Sequence, residues 1–340
     1  MKLSRLGEFG LIERIRRTLP IGQGVRIGIG DDAAWVDNPS GSSLVTADLL
    51  IENVHFDLKW ISFVDLGFKS LAVNLSDIAA MGGVPAYAVL SLGIPAKFDS
   101  KNIDDFYRGI GALAQPNRVA VVGGDLSVAK SLIIAVCVIG HPPRRPIRRD
   151  GAAAGDDIYV TGTLGDSALG LKLLQRGRSH GKKQTAAKLL SRHRRPTPRL
   201  VAGVRIAKEN LATAMIDVSD GLLQDLGHIC QASGTGAVIL HEQLPLSTAY
   251  RSLCGKDGTR HALNGGEDYE LLFCARRLNR ARVKKLSRHA RLPITRIGTC
   301  VAERGVVVVD GLGKAISLAA QGHDHFQKNS SYANAAILRP

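Results

Sequence analysis

The sequence is poor in aromatic residues and has no paired cysteines. Phe, Trp and Tyr make up 5% of the 340 residues, and the five cysteines are scattered without a CxxC pair. This scatter excludes a zinc ribbon and a dense disulfide framework, and it is typical of a reducing compartment. The longest apolar run, residues 132–139, is long enough for a strand but too short to cross a bilayer. We therefore predict a cytoplasmic protein without a membrane span.

The common phosphate-binding motifs are also absent. The sequence contains no GxxxxGK[ST] motif and neither the HRD nor the DFG signature of protein kinases, which excludes a P-loop enzyme and a protein kinase. Gly28-x-Gly30 lacks the rest of a Rossmann fingerprint. If this chain binds or transfers phosphate, it must therefore do so with a different kind of site.

Acidic residues are missing from residues 276–296, a stretch that carries nine Lys and Arg. A second basic stretch, residues 144–208, has 16 Lys and Arg against four Asp and Glu. The summed net charge of these two stretches is larger than the net charge of +15 of the whole chain, so the rest of the chain carries a net negative charge. A charge run is usually a solvated face, and aromatic residues that would stack on bases do not interleave with it. We predict no specific nucleic-acid partner and keep a basic nucleic-acid-binding protein as the least favoured hypothesis.

The length of the chain is sufficient for two domains of ordinary size. Apolar runs alternate with amphipathic patterns in both halves, which predicts an α/β or α+β class with mixed sheets covered by helices on one face. Pro142, Pro143 and Pro146 lie among arginines, as is typical of a linker. We therefore predict an N-terminal α/β domain over residues 1–142 and a C-terminal α/β domain over residues 143–340.

A helix predicted over residues 65–83 carries the first candidate site residue. Its apolar residues recur at helical spacing, and Gly82 and Gly83 end it. Asn74 and Asp77 share one face of this helix, and no Lys or Arg lies within a turn of Asp77. Burying the carboxylate of a mostly apolar helix costs free energy unless a cation lies next to it. For one isolated Asp, however, a solvated helix edge is the plainer interpretation.

Four further acidic positions repeat this situation. Each follows a short apolar run, and small residues or Gly flank most of them, so we expect the acids at strand ends, where the backbone can approach a ligand closely. Acids with few neighbouring bases repel one another unless divalent cations bridge them, and an all-oxygen ligand set favours Mg²⁺ over zinc. Unrelated turns and helix caps are the alternative, whereas Mg²⁺ beside glycine-rich backbone is suited to phosphate transfer. The four positions are Asp31 with Asp32, Asp48, Asp125, and Asp217 with Asp220.

Eight motifs resemble those of the thiamine-monophosphate kinase family, in the superfamily of aminoimidazole ribonucleotide synthetase. They occur in the family's order and span nearly the whole chain. The motifs are GIGDDAA (28–34), TADLLIENVHF (46–56), KSLAVNLSDIAAMG (69–82), VGGD (122–125), VTGTLGDSALGL (160–171), AMIDVSDGLLQDLGHI (214–229), GGEDYEL (265–271) and GHDHF (322–326).

The resemblance implies that ATP phosphorylates thiamine monophosphate to thiamine diphosphate, by direct in-line transfer with several Mg²⁺ ions and no phosphoenzyme. K⁺ is a further candidate ion. The implied fold is the two-domain fold of that superfamily, with ATP and metals between the domains and a homodimer that builds a barrel from the N-terminal sheets. The alternative is another ATP-dependent member of the superfamily, a purine-pathway synthetase or an enzyme that activates selenide or carbamoyl groups. Those relatives carry N-terminal glycine-rich or cysteine-bearing segments that this chain lacks.

The resemblance also implies roles for individual residues, although no side chain is identified as a certain catalytic residue because metal assists the transfer. Asp32, Asp77 and Asp217 are expected to be the most critical of the metal ligands. The implied Mg²⁺ ligands are Asp32, Thr46, Asp48, Asp77, Asp125, Asp217 and Asp220. The implied ATP contacts are Tyr107, Gly124, Asp125, Arg149 and Ser219, and the implied substrate contacts are His55, Glu267 and His323.

Two positions depart from the family pattern. Ala47 stands where the family usually has Ser or Thr, so we expect weaker metal affinity beside Asp48. His323 stands where the family usually has a large aromatic residue that stacks on the substrate. Imidazole stacks less extensively, so we expect weaker substrate affinity. A metal site made by His323 and His325 is a less favoured alternative, since no third soft ligand lies nearby.

Overall fold

The structure, a computed structural model, forms two compact units. The first unit contains the described residues up to Asn74 and Pro85–His141, and the second contains Leu75–Val84 and the described residues from Pro142 onward. The predicted domains, residues 1–142 and 143–340, stay a prediction, because a compact unit is not thereby shown to fold alone. The described residues are 8, 10–13, 16, 23–39, 41–177 and 183–316.

A six-stranded mixed sheet forms the first unit. Strands β3 and β6 pair antiparallel from Leu44 to Ile51, whereas β4 and β5 pair in parallel. The strands are β1 (Val25–Ile27), β2 (Ala34–Asn38), β3 (Gly41–Ile51), β4 (Val84–Ile94), β5 (Ala120–Val128) and β6 (Ile133–His141), in the order β1-β2-β3-β6-β4-β5. The helices are α1 (Phe63–Ala80), which belongs to the first unit up to Asn74 and to the second unit from Leu75 onward, and α2 (Ser100–Ala114).

The two strands β5 and β6 differ in how they are covered. Buried and half-buried residues alternate along β6, as expected for a sheet with one packed face. All residues of β5 are exposed, among them Val122, Leu126 and Val128, which is 81% exposed. The outer edge of this sheet therefore presents apolar side chains on its surface.

Helix α1 confirms the helix predicted over residues 65–83, and it ends at Ala80, just before the predicted glycines. Gly82 has φ +69°, and the N–H of Gly83 donates to the carbonyl of Ile78 at 2.8 Å, which is a glycine-terminated helix end. A Cβ on Gly82 would lie 2.5 Å from the Cβ of Ala207. Both the backbone conformation and the packing therefore require glycine at this position.

A second six-stranded mixed sheet forms the core of the second unit. All its neighbouring strands are antiparallel except β12 and β9, which are parallel. The strands are β7 (Asp157–Thr161), β8 (Ala214–Asp217), β9 (Gly236–Leu240), β10 (Leu271–Ala275), β11 (Ile294–Val301) and β12 (Gly305–Val309), in the order β12-β9-β11-β7-β10-β8. The helices are α3 (Asp166–Gln175), α4 (Lys183–Arg194), α5 (Leu200–Lys208), α6 (Leu222–Ser233), α7 (Thr248–Leu253), α8 (Arg260–Asn264) and α9 (Arg280–Ala290).

Burial in the second unit differs from the expectation of one covered face. Every residue of β7, β8 and β10 is buried, so this part of the sheet is covered on both faces. The five cysteines are free thiols. Within the ranges that the structure describes, no helix is both long and apolar enough to cross a membrane. The cytoplasmic location stays a prediction.

The expected position of the acids at strand ends is correct for only one of the three that lie in strands. Asp217 is the last residue of β8, whereas Asp48 and Asp125 lie inside β3 and β5. The prediction is wrong for these two because apolar residues also follow them, such as Leu50 and Leu126, and these residues extend the strands. The period-two alternation of a strand tolerates a polar residue in its interior where one face is not packed.

Candidate active site

Two of the predicted metal ligands come together in the second unit. Asp77 lies on α1 and Asp217 ends β8, and the two carboxylates offer oxygens within 4.8 Å of each other. Asp217 is only 2% exposed, and Asp77 is half-buried. Two acids this close repel each other, and burial strengthens that repulsion unless a cation offsets it. The pair therefore has the oxygen donors and the charge that suit a hard divalent cation.

Ser76 contacts this pair, although the sequence analysis did not single it out. Its hydroxyl donates to Oδ2 of Asp217 at 2.5 Å, and its side chain is fully buried. A hydroxyl that donates to a carboxylate fixes the orientation of that carboxylate, as outer partners do at metal sites. The signal that could have identified Ser76 is a small polar residue on a buried, mostly apolar helix, directly before Asp77.

The third predicted metal ligand of this unit, Asp220, lies in the turn that follows β8. The backbone N–H groups of Asp220 and Gly221 both donate to Oδ2 of Asp225, at 3.2 and 3.0 Å, which fixes the turn at the start of α6. Burial and the nearby Asp220 and Asp217 raise the pKa of Asp225 well above its usual range. Oxygens of Asp220 and Asp225 and a ring nitrogen of His228 also lie within 4.8 Å of one another. Asp225 was not predicted, and its role here is to hold the turn.

The predicted substrate residue Glu267 lies beside the predicted ATP residue Ser219. The N–H of Glu267 donates to the carbonyl of Ser219 at 2.7 Å, and the N–H of Tyr269 donates to the carbonyl of Val218 at 2.9 Å. Glu267 and Tyr269 have φ values of +66° and +50°, a conformation that is strained for residues other than glycine. Strained residues on both sides of Asp268 indicate a loop that its surroundings hold in place.

Asp268 attaches this loop to the start of α3. Its carboxylate is buried and accepts the backbone N–H groups of Gly165 at 2.5 Å and Ser167 at 3.1 Å. Negative charge at a helix N-terminus is favourable because the first N–H groups have no partner within the helix. Burial raises the pKa of Asp268 to about 8, even though the N–H groups of Gly165 and Ser167 act to lower it. The loop is therefore fixed by its side chains as well as by its backbone.

Glu270 adds a second attachment on the other side of Tyr269. Its carboxylate is fully buried and accepts from Arg192 Nη2 at 2.5 Å, Arg199 Nε at 2.6 Å and the Thr161 hydroxyl at 2.7 Å. A buried carboxylate is tolerated when charged donors satisfy it in this way. Neither this residue nor Asp268 was predicted, because the GGEDYEL motif indicates their presence but not their distant partners.

The predicted ATP residue Arg149 lies next to strand β8. The carbonyl of the preceding residue, Arg148, accepts the N–H of Met215 at 3.1 Å, and the carbonyl of Arg149 accepts the Ser233 hydroxyl at 3.0 Å. The side chain of Arg149 is half-buried. This segment therefore runs beside the strand that ends at Asp217.

In the first unit, the predicted metal ligands Thr46 and Asp48 lie on one face of β3. The N–H of Asp48 donates to the Asn74 amide oxygen at 3.1 Å, and burial raises the pKa of Asp48 to about 6. Strand alternation puts the side chain of Ala47 on the opposite face, so the weaker metal affinity expected from Ala47 stays a prediction. Asp32, in the turn between β1 and β2, is 8% exposed.

The predicted ATP residues Gly124 and Asp125 lie on β5 at the edge of the first sheet. Strands β6 and β4 separate β5 from β3 in the sheet order, so Asp125 does not lie on a strand next to that of Asp48. A Cβ on Gly124 would overlap the carbonyl oxygen of Leu90 on the neighbouring strand. The close approach of the two strands therefore requires glycine at position 124.

The remaining predicted contacts of the first unit are Tyr107 and His55. Tyr107 lies on α2 with its ring edge-on to that of Phe106, at 5.5 Å between centroids. The Nδ1 atom of His55 accepts the N–H of Ile51 at 3.0 Å, so this nitrogen carries no proton and Nε2 is the donor of the neutral ring. The predicted substrate residue His323 lies outside the described residues.

Comparisons with known proteins agree with the motifs. Two family models match the chain, "AIR synthase related protein, N-terminal domain" over residues 30–141 and "AIR synthase related protein, C-terminal domain" over residues 153–311. The thiamine-monophosphate kinase of Aquifex aeolicus is 41% identical over 80% of this chain and 87% of its own length. That of Salmonella typhimurium is 40% identical over 94% of this chain and 98% of its own length.

A solved structure agrees with the fold. The structure described as AaThiL complexed with AMPPCP and TMP has a TM-score of 0.84 and 38% identity, and the match covers 96% of this chain and 99% of that chain. These matches confirm the predicted class, a two-domain fold of mixed sheets and helices. The chain belongs to the thiamine-monophosphate kinase family.

Proposed function

We propose that this protein is a kinase that transfers the γ-phosphate of ATP to thiamine monophosphate, which gives thiamine diphosphate and ADP. The observation that carries this proposal is the close carboxylate pair of Asp77, on α1, and Asp217, at the end of β8. The turn after β8 contains Ser219, whose carbonyl accepts the N–H of Glu267. The family supports the substrates, since a similar structure is described with TMP and with AMPPCP, an ATP analogue. The transfer is direct and in line, without a phosphoenzyme.

Mg²⁺ is the metal that the proposed ligands fit. The donors of the Asp77 and Asp217 pair are carboxylate oxygens, with the Ser76 hydroxyl beside them, and hard oxygen donors select Mg²⁺ over softer metals. Bound Mg²⁺ would neutralise the phosphate oxygens and the charge that develops on them during transfer. K⁺ is a further candidate ion. The proposed ligands are Asp32, Thr46, Asp48, Asp77, Asp125, Asp217 and Asp220.

The side chains of the chain position the two substrates. Arg149 supplies a cation for the phosphates of ATP, and Ser219 and Tyr107 also contact the nucleotide. Glu267 supplies an anion that attracts the cationic thiazolium ring of thiamine monophosphate. His55, whose Nδ1 accepts the Ile51 N–H, is a further substrate contact in this proposal.

The first unit supports a homodimer. Strand β5 is exposed along its whole length, and Val122, Leu126 and Val128 place apolar side chains on this edge. Exposed apolar edge strands are ready to pair with another chain. We propose that the sheets of two copies meet here, in the barrel that the family resemblance implies.

Product analysis tests the function directly. The purified protein is incubated with ATP, Mg²⁺ and thiamine monophosphate, and the products are separated by chromatography. We expect thiamine diphosphate and ADP in equal amounts. ADP without thiamine diphosphate would contradict the assigned acceptor and favour another reaction of the superfamily. No ATP turnover, together with salt-sensitive binding to duplex nucleic acid, would favour the nucleic-acid hypothesis instead.

A further inference from the structure

The carboxylate of Glu267 is held by a histidine that no sequence motif above assigned. Nδ1 of His193, near the end of α4, lies 3.0 Å from Oε2 of Glu267. The same nitrogen lies 3.0 Å from the hydroxyl oxygen of Ser167 on α3. The side chain of His193 is 6% exposed, whereas that of Glu267 is 24% exposed. The imidazole is therefore enclosed in the unit, while the carboxylate that it contacts remains accessible.

The contact between His193 and Glu267 indicates which nitrogen of the imidazole acts as a donor. An ionised carboxylate can only accept hydrogen bonds, so a hydrogen bond between these two side chains has Nδ1 of His193 as its donor. The hydroxyl oxygen of Ser167 can accept from the same N–H group, because a hydroxyl has lone pairs as well as a proton. His193 therefore acts here as a hydrogen-bond donor fixed between two elements.

The elements that hold His193 are the ones that hold the whole loop. Ser167 donates its backbone N–H to Asp268, the residue after Glu267. Arg192, the residue before His193, donates to Glu270. Helices α3 and α4 thus fix the acids on the C-terminal side of Glu267, and His193 extends the same arrangement to Glu267 itself.

We propose that His193 is a positioning residue for substrate binding. It holds the Glu267 carboxylate in the orientation in which that anion meets the cationic ring of the substrate. A carboxylate that is already oriented loses less side-chain entropy on binding, so the substrate binds more tightly. This inference rests on the proposed function, because it concerns the binding of thiamine monophosphate at Glu267.

Two amide substitutions separate the donor position from the bulk of the side chain. The amide nitrogen of His193→Asn stands near the position of Nδ1, whereas that of His193→Gln stands near Nε2. We expect His193→Gln and His193→Ala to raise the KM for thiamine monophosphate about tenfold, the effect of losing one hydrogen bond to a charged group. The KM for ATP and kcat should stay within about twofold, and His193→Asn should restore most of the affinity.

A double-mutant cycle provides the decisive readout. In a Glu267→Ala background, His193→Ala should change the KM for thiamine monophosphate less than about twofold, because the partner that it positions is gone. Melting temperatures of all variants are measured alongside. If His193→Ala does not fold, the comparison of His193→Asn with His193→Gln carries the test, since these differ by one methylene.

Three results would overturn the inference. They are an equal rise in the KM for both substrates, an equal effect of the Asn and Gln variants, and additive effects of the changes at His193 and Glu267. Wild-type activity is measured first, so that the two proposals fail separately. A wild-type protein that forms no thiamine diphosphate overturns the proposed function and this inference with it. If the wild type is active and the His193 variants have an unchanged KM for thiamine monophosphate, this inference alone is overturned.

Discussion

Removing the Ser76 hydroxyl is the sharpest test of the metal site. The hydroxyl donates to Oδ2 of Asp217 at 2.5 Å, and both side chains are almost fully buried. Mutation of a residue that orients a metal ligand typically lowers metal affinity or activity about 10- to 100-fold. We expect Ser76→Ala to raise the Mg²⁺ concentration for half-maximal activity at least about tenfold. Part of the lost rate should return at high Mg²⁺, because the ligand itself is still present.

The matched control lies on the same helix. Ser70 is also fully buried, and its hydroxyl donates to the carbonyl of Leu66 at 2.8 Å rather than to an acid. Ser70→Ala should lower stability by about 1 kcal/mol at most, without a change in the Mg²⁺ requirement. Activity is measured by thiamine diphosphate formation in a Mg²⁺ titration at fixed ATP. Equal half-maximal Mg²⁺ concentrations in the two variants would refute the proposed role of Ser76 in orienting Asp217.

Two further predictions concern stability and assembly. Arg280 and Arg296 lower the pKa of Asp157 to about 2, so this stabilisation is present above the ordinary pKa of about 4 and is lost as the pH falls through about 2. Because both arginines are partly exposed, Asp157→Asn should lower the free energy of unfolding by at most about 2 kcal/mol at neutral pH. If urea unfolding of this variant had the same pH dependence as that of the wild type, the prediction would be contradicted. Leu126→Asp should convert a dimer to monomers in sedimentation; an unchanged mass would exclude β5 from the interface.

The sequence alone predicted the parts of the fold that depend on local patterns. Helix α1 follows from apolar spacing and from Gly82, and both are properties of neighbouring residues. The interior positions of Asp48 and Asp125 were missed, because an acid inside a strand and an acid at its end differ only in the residues that follow. Burial of the second sheet on both faces depends on which helices cover it, and no local pattern encodes this.

The candidate site was predicted as a set of residues rather than as a set of contacts. Asp77 and Asp217 were identified from acidity and motif, and the structure brings their oxygens close together. The contacts of Ser76 with Asp217 and of His193 with Glu267 were missed because each joins residues far apart in the sequence. A small polar residue directly before Asp77 is the one signal that could have identified Ser76, and His193 had no such signal.

Calorimetric titration of Mg²⁺ in the presence of AMPPCP tests the central claim most directly. The titration compares the wild type with Asp217→Asn, and Asp37→Asn, whose acid pairs with Arg26 on the surface, is the control. The account predicts at least about tenfold weaker binding in Asp217→Asn and unchanged binding in the control. Equal Mg²⁺ affinity in all three proteins would contradict the claim that the buried carboxylate pair holds the metal.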